Sequence, residues 1–210
     1  MDKKQVPLVV VRRLPRYYRH LSDMLKKNIT RTSSKDMSKK MGVTASQIRQ
    51  DFNCFGGYGQ QGYGYNVEML QKEIGTILGM DRGYTTIIVG AGNLGTALAN
   101  HDTFEKRGYK MIGLFDADNA KVGKSIAGHT IMHTDELESF VKEYNPDIAI
   151  LCVPKSAVFD IANDLVKYGV KALLNFTYTE LELPDDVVVE NVHLSDTLMT
   201  LSYRLSNLQK

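Results

Sequence analysis

The 210-residue sequence predicts an α/β chain in two parts, a helical part followed by a parallel sheet covered by helices on both faces. Three observations predict it. Charge is divided: residues 1–80 carry 14 Lys and Arg against 6 Asp and Glu, net +8, and residues 81–210 carry 12 against 18, net −6. The chain-wide +2 therefore conceals a basic front and an acidic back. Hydropathy is divided at the same place: apolar residues recur at helical spacing before it, and β-branched runs alternate with helical patterns after it. Gly79-Met80-Asp81-Arg82-Gly83-Tyr84-Thr85 between them reads as a short linker.

Composition narrows the class. Hydrophobic content of 43% and charged content of 24% exclude disordered and fibrous chains. No run approaches the eighteen apolar residues of a membrane span. The only early apolar run, Leu8–Val11, is cut off by Arg12 and Arg13, so no secretory leader is expected. Two cysteines, Cys54 and Cys152, make neither a disulfide framework nor a zinc cluster and fit a reducing cytoplasm.

In the front, Pro7 and Pro15 each suit a first helical turn. Leu14, Tyr17, Tyr18, Leu21, Met24 and Leu25 form an apolar stripe of period near 3.6. Ser33 with Asp36 matches a capping box, and Met37 and Met41 share one face of the helix it opens. Gly42 ends that helix, with Val43 able to pack under the turn. Thr44 with Gln47 makes a second box, opening a helix whose Ile48 and Phe52 face inward. Helix, glycine turn, helix is the helix-turn-helix plan, and its second helix would present Ser46, Gln47, Arg49 and Gln50 to base edges and phosphates. An ordinary helical bundle with a solvated basic face is the alternative; the +8 charge favours DNA. Five glycines and three tyrosines in residues 55–65, with Gln60-Gln61 at the centre, suggest a hairpin wing, against the alternative of a flexible connector.

In the back, residues 85–89, 110–115, 148–153, 170–175 and 187–192 read as strands, and 94–104, 135–144 and 156–168 as helices. The first strand runs into Gly90-Ala91-Gly92-Asn93-Leu94-Gly95, a G-x-G-x-x-G turn that opens a helix. Gly90 allows the tight turn, Gly92 the approach of a pyrophosphate, and Gly95 close helix–strand packing. The second strand ends in Asp116, twenty-one residues after Gly95, where a carboxylate accepts from ribose hydroxyls and repels a 2′-phosphate. That constellation predicts a Rossmann sheet binding NAD(H).

A dinucleotide fold raises the alternative of a small NAD-dependent oxidoreductase with an accessory helical domain. Only eighteen residues follow Val192, too few for a substrate domain, and no Tyr-x-x-x-Lys pair occurs. The five histidines lack metal-ligand spacing, so no catalytic residue and no metal is assigned. In the tail, Leu194, Leu198, Leu201, Leu205 and Leu208 form a narrow seam suited to another helix or subunit.

Val10-Val11-Arg12-Arg13-Leu14-Pro15-x-Tyr17-Tyr18-Arg19, Val43-Thr44-Ala45-x-Gln47-Ile48-Arg49-x-Asp51, Gly62-x-Gly64-Tyr65, Val89–Gly95 and Asn175-Phe176 together resemble the Rex family of bacterial redox-sensing, NADH/NAD+-responsive transcriptional repressors. The resemblance implies a winged helix-turn-helix domain over residues 1–80, a Rossmann NAD(H) domain over 81–192, and a C-terminal helix over 193–210 exchanged in a homodimer. It implies binding to an inverted-repeat operator and release on NADH, which binds more tightly than NAD+. The candidate cofactor residues are Gly90, Ala91, Gly92, Asn93, Leu94, Gly95, Asp116, Lys121, Val153, Pro154 and Asn175. The candidate DNA residues are Arg12, Arg13, Ser33, Thr44, Ser46, Gln47, Arg49, Gln50, Tyr58, Gln60 and Gln61. Four departures stand out: Gln50 and the pair Gln60-Gln61 replace expected basic residues, His193 an acid, and His101 a tyrosine.

Overall fold

A computed structural model describes residues 6–56, 59–60 and 63–208. Tyr58 and Gln61 lie outside the described residues, as does the side chain of Gln60. The chain divides into two compact units, Met1–Arg82 and Gly83–Lys210.

In the first unit Pro7 precedes a single turn, α1 (Leu8–Val11), and Pro15 sits in the first turn of α2 (Leu14–Lys26). A two-residue strand, β1 (Arg31–Thr32), leads into α3 (Ser34–Met41) and then α4 (Ala45–Asn53). Ser33 and Thr44 are the N-caps, accepting from the backbone N–H groups of Asp36 and Gln47, each at 3.1 Å. Gly42 ends α3 at φ 61°, a left-handed turn that tips α4 across it. The wing is an antiparallel sheet of β1 with β2 (Gly59–Gln60) and β3 (Gly64–Asn66), in the order β1-β3-β2. Helix α5 (Val67–Ile77) follows directly and packs on α2. Leu14, Tyr17, Leu21, Met37, Ile48, Phe52, Leu70 and Ile74 form one core at the centre of these elements.

The second unit is a seven-stranded sheet. Its strands are β4 (Tyr84–Val89), β5 (Tyr109–Asp116), β6 (Ser125–Ile126), β7 (His129–His133), β8 (Ile148–Leu151), β9 (Ala172–Asn175) and β10 (Val188–Asn191). Their order is β10-β9-β8-β4-β5-β7-β6, parallel apart from the β6–β7 pair. The chain moves outward in one direction from β4 and in the other from β8, so the switch point of a doubly wound sheet lies between those strands. Alternate residues serve opposite faces. Ile87, Val89, Ala149 and Leu151 pack under α7 (Leu137–Tyr144) and α8 (Val158–Tyr168). Ile88, Leu114 and Ile150 face the other way, toward α6 (Asn93–Ala99).

The helix expected over 94–104 stops at Ala99. The Asn100 amide turns back to the Thr96 carbonyl at 2.8 Å, and the chain enters a 3-10 turn at Glu105–Arg107. Because α6 is short, it leaves a groove of about 580 Å³ on its face of the sheet, floored by Ile88, Ile150, Leu174 and Met111. The last element, α9 (Leu194–Leu208), has no buried residue. No described helix is long and apolar enough to cross a membrane.

Candidate dinucleotide site and DNA-reading helix

The loops at the carboxyl ends of β4, β5 and β8 converge at the switch point. A Cβ on Gly90 would lie 2.4 Å from the Cys152 carbonyl oxygen, and one on Gly95 would lie 1.8 Å from that of Gly90, so any side chain at either position would collide with backbone. A Cβ on Gly92 would meet nothing within 4 Å: the loop is packed on both sides of an open space. Gly92 is the N-cap of α6 and no side chain caps that helix among the described residues, so its first N–H groups are candidates to hold an anion.

Asp116, 8% exposed, organises this loop. Its Oδ2 accepts from the backbone N–H of Ala91 at 2.7 Å and from Lys121 Nζ at 2.9 Å, and its Oδ1 from the N–H of Asp118 at 2.9 Å. Burial opposes the charge, but the N–H of Asp118, Lys121 and the N–H of Ala91 outweigh it and hold the carboxyl below its ordinary range. Three of roughly four acceptor positions are filled, which leaves one on Oδ1 for a hydroxyl. His133, paired with Asp116 across β5 and β7, lies within hydrogen-bond distance of the Ala117 carbonyl through Nε2, at 3.2 Å.

Val153 and Pro154 follow β8 beside Gly90. Burial pushes the Cys152 thiol up to about 11, so it stays protonated and inert. Asn175 is fully buried, and its side chain is satisfied locally. It donates to the Thr179 carbonyl and to Asn191 Oδ1, each at 2.8 Å, and accepts from the N–H and hydroxyl of Thr177. Asn175 therefore shapes the rim with its amide, and no side-chain group is left over for a ligand.

In the first unit α4 is clamped to the start of α2. Asp51, 1% exposed, accepts from Arg13 Nε and Nη2 and from the Tyr17 hydroxyl, all at 2.7 Å, and from Gln47 Nε2 at 2.8 Å. Burial disfavours its charge, yet these hydrogen bonds hold its carboxyl below the ordinary range. Burial first, then the neighbouring carboxylate, raises the Tyr17 phenol. The exposed side of α4 presents Ser46, Arg49 and Gln50, with Arg49 Nη1 resting on Ser34 Oγ at 3.0 Å.

Two family models match the chain: one described as "CoA binding domain" over residues 81–179 and one as "Putative DNA-binding protein N-terminus" over 5–53. Among curated proteins, the redox-sensing transcriptional repressor Rex of Caldicellulosiruptor saccharolyticus is 55% identical, over 97% of this chain and 93% of its own. That of Clostridioides difficile is 51% identical, over 97% of each. The chain belongs to the Rex family. The crystal structure of RSP, a Rex-family repressor, superposes with a TM-score of 0.91 at 50% identity, over 97% of this chain and 95% of that one. RSP has also been solved with β-NAD+ and operator DNA, and with β-NADH, at the same TM-score. The Rex relatives are named repressors, not enzymes, which sets aside the oxidoreductase alternative.

Within this Rex-family chain the structure brings Gly90–Gly95, Asp116, Lys121, Val153 and Pro154 to one end of the sheet. Ser33 and Thr44 occupy cap positions, and Arg12 is exposed. Arg13 was expected among the DNA-binding residues; its fork is engaged by Asp51 and only 29% of its side chain is exposed. Gln47 was expected at base edges and to close a capping box; its amide N–H instead holds Asp51. The Asp51 clamp is not legible in the sequence because two of its three partner residues, Tyr17 and Arg13, lie 34 and 38 residues away. One signal was available: an acid on the inward side of an amphipathic helix needs a buried donor.

Proposed function

We propose that this chain is a cytoplasmic, homodimeric repressor that occupies an inverted-repeat operator when NADH is scarce and leaves it when NADH binds. The observation that carries the reading is end-to-end likeness, at about half identity, to a protein solved with both redox forms of the dinucleotide and with operator DNA.

The residues present fit a dinucleotide. The open space before Gly92 and the first turn of α6 suit a pyrophosphate, and the remaining acceptor of Asp116 suits an adenosine ribose hydroxyl, with Lys121 holding the carboxylate in place. A ligand laid across the switch point puts its nicotinamide end toward Val153, Pro154 and β9. NADH carries a neutral dihydronicotinamide ring and NAD+ a cationic one. Tighter binding of NADH therefore requires surroundings that do not reward the positive charge.

On the DNA side, Arg49, Ser46 and Gln50 read the major groove while Arg12 meets phosphate, and Arg13 acts through Asp51 by fixing the tilt of α4. Dimerisation rests on α9. Leu194, Leu198, Leu201, Leu205 and Leu208 are all more than half exposed on a helix with no buried residue, and a partner subunit covers that seam. NADH and operator are then linked reciprocally: whatever factor NADH takes from operator affinity, operator takes from NADH affinity, ordinarily about 1–3 kcal/mol of coupling.

Operator binding titrated with NADH and then NAD+ at fixed salt tests the reading. NADH is expected to release the duplex at lower concentration than NAD+. An equal NADH affinity with and without saturating operator would sink it.

A further inference from the structure

We propose that the basic unit carries a separate anion site, a groove between α2, β1 and α3 that takes a small free anion bearing phosphate. The groove has a volume of about 420 Å³ and is lined by His20 from α2, Lys27 just after it, Arg31 from β1 and Lys40 from α3. Asp23 and Asp36 also line it, but each has a lysine partner that does not: Lys26 lies 3.9 Å from Asp23, and Lys39 lies 3.4 Å from Asp36. The Asp36 carboxylate is further engaged by the Ser33 hydroxyl at 2.6 Å.

Lys27 and Lys40 make no ion pair among the described residues. Arg31 donates to the Tyr63 carbonyl at 3.3 Å and lies 5.9 Å from that ring's centroid, contacts that orient its charge without neutralising it. Burial, then Lys40 and Lys27, holds the His20 ring below its ordinary value, with Asp23 opposing only in part. Thr32 also lines the groove, and its buried hydroxyl has no hydrogen-bond partner among the described residues. Three cations without an ion pair around one small volume favour a compact ligand with several acceptors and more than one negative charge, which describes a phosphate group.

A duplex lying on α4 is the wrong occupant. Ser34 marks the side of α3 that meets α4, through Arg49. Asp36 and Lys40 sit roughly 200° and 240° around the helix from it, at about 100° per residue. The groove opens on the far flank, toward a free anion.

The test uses the full chain and inorganic pyrophosphate, titrated against chloride at constant ionic strength, with the His20 ring followed by NMR. A saturable shift is expected in the parent protein, with affinity reduced at least tenfold in Lys27→Ala/Lys40→Ala and by less in Lys40→Gln. Both lysines are exposed, and an unchanged thermal melt checks that the variants fold. No saturable shift, or the same affinity in the double variant, overturns the proposal. So does a response to duplex DNA without one to pyrophosphate, which would make the groove a backbone contact.

Discussion

Each unit is built around a buried aspartate, and the two are used in opposite ways. Asp51 accepts four hydrogen bonds, all from side chains, and they fill its roughly four acceptor positions. Asp116 accepts three, two of them from backbone N–H groups of neighbouring loops, and keeps a position open. The closed carboxylate locks one helix to another. The open one sets the shape of a loop and still has capacity for a ligand. The same residue type, similarly buried and similarly held in its charged form, becomes structural or functional according to whether its neighbours exhaust it.

The contrast can be broken most directly at Asp51. Asp51→Ala leaves Arg13 without its counter-charge and should cost about 3 kcal/mol, measured as a lower urea midpoint for the first unit. Operator binding is expected to fall with it while NADH affinity stays unchanged. A matching loss of NADH affinity would mean that this carboxylate is not confined to one task. At the open site, Gly92→Val places a side chain in empty space on extended backbone. Stability should hold to within about 1 kcal/mol, while NADH affinity, read by fluorescence, drops at least about tenfold. Unfolding with no selective loss of NADH would show that the space belongs to the fold and not to a ligand.

Acid distinguishes the two less sharply. Both carboxyls are held below their ordinary value of 3.8 in the folded protein. A depressed folded value gives stability that is fully present above the unfolded value and is lost as pH falls through the folded one. Each unit should therefore weaken below about pH 4, and Asp51→Asn should flatten that acid limb in the first unit alone. The smallest expected effect lies on the exposed side of α4, where Gln50→Lys adds one phosphate contact. It should tighten operator binding and steepen its log–log salt dependence by about 0.9. An unchanged slope would place residue 50 away from the backbone.

How far the sequence predicted these features follows their range along the chain. The N-caps Ser33 and Thr44, the turn at Gly42, the G-x-G-x-x-G loop and the strand ending in Asp116 are local devices, and each was readable from a few adjacent residues. The apolar runs that became β4 and β8 were equally readable, because strands buried on both faces have few alternatives, whereas β6 and β7 were not among the expected strands. What escaped was long-range or a matter of local competition. Arg13 looked like a free cation until the fold brought Asp51 to it from 38 residues away. Gln47 and Asn175 looked like groups available to ligands, but their amides had closer partners in Asp51 and in Thr177, Thr179 and Asn191. Strand β1, only two residues long, gains its identity from pairing with β3 and carries no periodicity of its own. The early end of α6 turned on one asparagine amide folding back onto the helix.

Helix α9 makes the quantity of protein part of its own architecture. A 15-residue helix that buries none of its side chains is marginal in water when alone. On the proposal that a partner subunit covers α9, its order follows protomer concentration, and dilution is expected to melt the tail before either compact unit is disturbed. Helical content measured across a dilution series should fall by the share belonging to residues 194–208 while both cores stay folded, and a constant signal would show the helix standing unaided. A cell that makes too little of this protein would contain folded chains that cannot pair.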